Sequence, residues 1–107
     1  MKQPLTLLMI LLVSNAQFAV AASRAEAGKA KAAVCAACHG LDGNSKVPTM
    51  YPSLAGQSSN DLQTKLQAYR EGKGSGPMAA TMVAMAKPLS AQDIAELAAY
   101  FSQQTKH

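Results

Sequence analysis

The chain has 107 residues, with ten Lys or Arg against six Asp or Glu and a formal net charge of +4. That length holds one small domain, and its scattered lysines form no basic patch interleaved with aromatics of the kind that marks a nucleic-acid binder. No internal repeat and no dividing linker is visible.

Lys2 supplies a positive start, Leu5 to Val13 is a nearly unbroken apolar run, and Ala19-Val20-Ala21-Ala22 offers small residues for cleavage. This pattern predicts a secretory signal peptide over residues 1–22, cut after Ala21 or Ala22. A retained anchor fits less well, because Ser14, Asn15 and Gln17 interrupt a run that is only about half of the roughly 20 residues needed to span a membrane. Export places the mature chain, residues 23–107, in the periplasm of a bacterium. A domain this small usually needs a staple beyond its own core.

Ser23 to Val34 is rich in Ala, Lys, Arg and Glu, good helix formers, and is expected to run as one helix into the next motif with Ala27 and Val34 facing inward. Gly28, in its middle, lowers helix propensity by about 1 kcal/mol relative to Ala, which suggests that another helix approaches closely there. Cys35-Ala36-Ala37-Cys38-His39 then forms a C-x-x-C-H run, the signature of covalent haem attachment. Cysteines three apart share one face of a helical turn, about 5–6 Å between β-carbons, so two thiols can reach two vinyl groups of one porphyrin. The histidine that follows can turn onto the iron as proximal ligand. A thioredoxin-like dithiol belongs beside a βαβ pattern, which is absent. A structural zinc site needs four ligands and has only His107 to complete the set, and a disulfide over so short a loop would constrain the unfolded chain little.

Gly40 to Gln57, with its glycines and with prolines at 48 and 52, reads as a loop wrapped against the haem. A helix is expected from Ser59 as N-cap, with Asp61 in its first turn and Leu62, Leu66 and Tyr69 as an apolar stripe. Glu71 to Pro77 is a glycine-rich break, read as a flexible connection because it lacks the strand and helix of a phosphate loop. Met78, Met82 and Met85 follow at i, i+4 and i+7, and with Met50 they are the methionines left after signal removal. One of them can ligate iron while the others pack against the porphyrin. Ser90-Ala91-Gln92-Asp93 opens the last helix as a capping box with Asp in place of Glu, after Pro88, and Ile94, Leu97, Ala98 and Phe101 form its inner stripe. Three helices without a strand pattern predict an all-α fold. His107, the final residue, is expected to fray.

Val34 to Gly40, Asp42-Gly43-Asn44-Ser45, Tyr51 to Gln57, and Pro88 to Ile94 leading to Leu97-Ala98-Ala99-Tyr100-Phe101 occur together in an order that resembles the class I c-type cytochromes. The likeness is to small bacterial monohaem members and to single halves of tandem dihaem ones, and it covers nearly the whole mature chain. It implies short helices packed around one covalent haem c, attached through Cys35 and Cys38. It implies His39 and Met82 as axial ligands, Met82 lying eight residues before the serine that opens the last helix, with Met78 and Met85 as neighbours that spacing alone does not separate. It also implies that the Pro52 carbonyl accepts the His39 Nδ1 proton and that Gly28 lies at the crossing of the first and last helices, against Leu97 or Tyr100.

With both axial positions filled, Fe(III)/Fe(II) exchange remains as the chemistry, and a thioether ligand in an apolar shell predicts a positive potential. The expected function is therefore a periplasmic one-electron carrier, not an enzyme, working between redox protein donors and acceptors as a monomer or weak dimer without stable membrane insertion. Lys46 and Lys87 flank the loops expected near the haem edge and can steer an acidic partner. The alternatives are an electron-accepting subunit of a periplasmic dehydrogenase, such as a sulfide-oxidising flavocytochrome, and a haem protein with an open distal site for gas or peroxide.

Overall fold

The computed structural model describes the backbone of residues 3–107 and the side chains of residues 16–107. The apolar core of the expected leader, Leu5 to Val13, lies outside the described side chains. Five helices follow in order: α1 (Gln3–Lys31), α2 (Ala33–His39), α3 (Ser59–Arg70), α4 (Ala79–Ala86) and α5 (Ala91–Ser102). Among the described residues there is no strand, and no helix is long and apolar enough to cross a membrane.

The first helix does not run unbroken into the cysteine motif. It stops at Lys31, and a turn at buried Ala32, whose carbonyl accepts from both Cys35 and Ala36, restarts the chain as α2. The turn leaves Val34 outward, 61% exposed, not inward as the helical register suggested. Ala27 is half-buried.

The most extensive helix pair is α1 with α5, and Gly28 lies at its crossing. A β-carbon there would overlap the Glu96 carbonyl group and stand 2.9 Å from the Tyr100 Cβ, so the two backbones meet only because residue 28 has no side chain. The Lys31 ammonium closes the same crossing by binding Asp93 Oδ1 at 2.6 Å and the buried Glu96 carboxylate. The capping box of α5 is formed in both directions, Asp93 N–H to Ser90 Oγ at 3.0 Å and Ser90 N–H to Asp93 Oδ2 at 2.9 Å. Ile94, Leu97, Ala98 and Phe101 are all buried, as the stripe predicted.

Leu97, Ala98 and Phe101 join Ala32 and Leu62 in one core, with Cys35, Leu54, Leu66, Leu89 and Tyr100 packed around it. The helix from α3 begins one residue earlier than expected: Ser58, not Ser59, is the N-cap, its hydroxyl accepting from Asp61 N–H at 3.1 Å. The methionine stretch is itself a helix, α4, which the glycines before it and Pro88 after it obscured in the sequence. Among the described residues, the one helix it packs on is α3.

Candidate functional site

The short helix α2 carries Cys35, Cys38 and His39, and Gly40 ends it with φ at +88°, a backbone conformation that L side chains rarely adopt. Both cysteines are free thiols and half-buried. Before haem is attached, burial, with a smaller contribution from Cys38, pushes the Cys35 thiol up. Cys35 also packs against the core cluster, which anchors the motif to the α1–α5 pair.

His39 is buried, 6% exposed, and its Nδ1 lies 2.7 Å from the Pro52 carbonyl oxygen. With the Nδ1 proton donated to that carbonyl, the Nε2 lone pair is left as the free donor, the arrangement in which a second partner fixes a ligating imidazole. The sequence separation is 13 residues, and the loop between them is stapled to make the meeting possible. Gly43 O accepts from Leu54 N–H at 2.7 Å and from Ala55 N–H at 3.1 Å, Ser45 N–H donates to Ser53 Oγ at 3.0 Å, and Gln57 Nε2 donates to Ser53 O at 2.7 Å. Gly56 N–H then reaches the Phe101 carbonyl at 3.1 Å, tying the loop to α5.

The C-terminus holds the same loop from outside. Asn44 Nδ2 donates to Thr105 O at 2.9 Å, His107 N–H donates to Asn44 Oδ1 at 2.9 Å, and His107 Nε2 lies 3.5 Å from Asp42 Oδ2. The C-terminus is therefore docked on the loop through Asn44, not frayed, with the His107 ring beside Asp42. Sequence reasoning missed the staples of Asn44 and Ser53; the loop's single Asn and two Ser were their only signal.

On the other side, Met82 is half-buried within α4, Met78 is the residue before its first turn with φ at −109°, and Met85 is 39% exposed. Met82 N–H donates to Met78 O at 3.0 Å, so the three share one helical face. Lys46 and Lys87 are both exposed.

These residues fit a covalent haem. Two unpaired thiols stand one helical turn apart, a buried imidazole is oriented by its Nδ1 bond, and the helix with the motif and the helix with the methionines do not pack on each other. Imidazole and thioether are both established donors to haem iron.

The family model described as cytochrome c matches residues 25–105. Cytochrome c-554(548) of Halomonas halodenitrificans is 48% identical over 83 residues, covering 78% of this chain and 99% of that protein. Cytochrome c4 of Stutzerimonas stutzeri is 48% identical over 90 residues, covering 78% of this chain and 42% of the relative. The crystal structure of reduced recombinant cytochrome c4 from Pseudomonas stutzeri superposes with a TM-score of 0.68 at 45% identity, covering 78% of this chain and 46% of that one. The chain thus spans about half the length of the c4 proteins and nearly all of the c-554(548) protein.

Proposed function

Because the chain belongs to the cytochrome c family and carries electrons on a covalently bound c-type haem, we propose that residues 23–107 form a periplasmic one-electron carrier with thioether bonds at Cys35 and Cys38 and axial ligation by His39 and Met82. When bound, the haem supplies Fe(III)/Fe(II) exchange. The observation that carries the proposal is the buried His39 with Nδ1 held by the Pro52 carbonyl at 2.7 Å, which leaves Nε2 as a pre-oriented donor directly after the two thiols.

The choice of Met82 among the three methionines is supported by its place inside α4, half-buried, between a more exposed Met85 and a Met78 that precedes the helix. Leu66 of α3, the helix on which α4 packs, and Leu89, just after α4, are both apolar and packed against the core. An apolar shell and a thioether ligand together favour the less charged ferrous state and raise the potential.

Residues 16–24 are all exposed, and within the described part of α1 burial starts at Ala25. Among the described residues, cleavage after Ala21 or Ala22 therefore removes only exposed side chains, which supports the leader reading and with it the periplasmic location. Exposed Lys46 and Lys87 serve as docking charges for an acidic redox partner.

Potentiometric titration of the haem-loaded mature protein tests the reading. A single one-electron wave at a positive midpoint, with slow carbon monoxide binding to the reduced form, is expected. A strongly negative midpoint or rapid carbon monoxide binding overturns the His/Met assignment, and stable co-purification with a flavoprotein moves the protein into a dehydrogenase complex.

A further inference from the structure

The helix with the methionines has little stability of its own. At eight residues α4 is shorter than the about 12–15 residues at which isolated helices become even marginal in water. No side chain caps its N-terminus, its first turn holds no acidic residue, and among the described residues α3 is the only helix it packs against. Something outside α4 must fix where it sits.

Two consecutive side chains in the last turn of α3 reach its two flanks. Tyr69 Oη donates to the Ser75 carbonyl at 2.7 Å, four residues before α4 begins. Arg70 Nη1 donates to the Leu89 carbonyl at 3.3 Å, three residues after α4 ends. Gly74 lies so close to the Tyr69 ring that a β-carbon there would overlap Cδ1 and Cε1. The segment that composition marks as a flexible connection is thus pressed against an aromatic face and hydrogen-bonded beyond it.

We infer that Tyr69 and Arg70 are positioning residues, a clamp from the end of α3 that holds both flanks of α4 and so keeps the methionine sulfur on the iron axis. The inference rests on methionine ligation as proposed above. The clamp does not touch the reacting atoms; it sets the free energy needed to swing α4 away. A net hydrogen bond contributes about 1 kcal/mol, so loss of either tether should ease displacement of the methionine about fivefold.

The test uses the ferric holo-protein and two readouts. Imidazole is titrated against the weak far-red absorption band of methionine sulfur on ferric haem, and amide hydrogen exchange is followed residue by residue. Tyr69→Phe, which keeps the ring, and Arg70→Met should each bind imidazole about fivefold more tightly and speed exchange in residues 79–86, leaving α1 and α5 unchanged. Lys65→Met, which removes a different polar side chain of α3, should change neither. Unchanged imidazole affinity, or faster exchange spread over α5 as well, overturns the clamp. A wild-type protein lacking the band refutes methionine ligation instead, and exchange in residues 79–86 then decides the clamp by itself.

Discussion

The Nδ1 of His39 and the carbonyl oxygen of Pro52 are 2.7 Å apart, joining the end of α2 to a loop 13 residues further along the chain. The bond gives the buried ring one tautomer and one orientation. It also makes the imidazole a stronger donor at Nε2, because the carbonyl draws the Nδ1 proton. Stronger donation favours ferric iron, so weakening the bond should raise the reduction potential.

Pro52→Gly frees the backbone that presents this carbonyl. A loss of about 1 kcal/mol from the hydrogen bond corresponds to about 40 mV for a one-electron couple. The midpoint of the variant should rise by up to that amount while the haem stays covalently attached. A lowered midpoint would contradict the role given to Pro52.

Gly28→Ala tests the helix crossing. The added methyl group meets the Glu96 carbonyl and the Tyr100 Cβ, and neither backbone can yield without opening the α1–α5 pair. Overpacking of this kind costs about 1–3 kcal/mol, and each kcal/mol lowers the melting temperature of so small a domain by about 4–8 °C. Thermal and denaturant unfolding of the holo-protein check it; a melting temperature within a degree of wild type would contradict the close approach.

The pH dependence of stability follows from Lys31. Its ammonium, with the Ser90 N–H adding to it, holds the Asp93 carboxyl down at about 2. The same ammonium lowers Glu96, and its bonds to Asp93 and then Glu96 raise Lys31 itself. Carboxyl groups whose folded pKa is depressed stabilise the fold fully above their unfolded values, about 4 to 4.5, and lose that contribution as pH falls through the folded ones. A raised lysine contributes below its unfolded value, about 10.4, and loses its share only as pH climbs through the raised folded pKa. Stability should therefore be level from about pH 5 to pH 10 and fall between about pH 4.5 and pH 2. In Lys31→Met the plateau should be lower and the acid loss smaller, because burial now pushes Glu96 up. Denaturant unfolding at pH 3, 4, 5 and 7 measures both; an unchanged acid slope would be the wrong result.

Docking through Lys46 and Lys87 predicts that electron transfer with an acidic redox protein slows as salt is added. Lys46→Glu with Lys87→Glu should reduce the rate at low salt and flatten its salt dependence, while reduction by a neutral small molecule stays the same. A double variant with the wild-type salt slope removes these lysines from the docking surface.

Where local chemistry decides the outcome, sequence and structure agree. The Cys35–His39 motif, the Ser90–Asp93 capping box, the inner stripe of α5 and the close approach at Gly28 were all readable, since each depends on residues within a turn or on the bare backbone of glycine. Features set by distant parts of the chain were not. Val34 is turned outward by the break at Ala32, and His107 is held by Asn44, with its ring beside Asp42, both more than 60 residues away. Ser58 takes the cap from Ser59 because adjacent serines offer the same hydroxyl and only the N3 geometry separates them. The α4 helix had its signal in the i, i+4, i+7 methionines, but its glycine-rich and proline flanks spoke for a loop, and the Tyr69 and Arg70 contacts that hold it are tertiary.

The most direct test of axial ligation is the far-red absorption spectrum of the ferric, haem-loaded protein, compared among wild type, Met78→Leu, Met82→Leu and Met85→Leu. The methionine-to-iron band should be present in wild type, Met78→Leu and Met85→Leu and absent from Met82→Leu. A band that survives in Met82→Leu, or that is missing from the wild type with haem still covalently bound, would contradict His39/Met82 ligation.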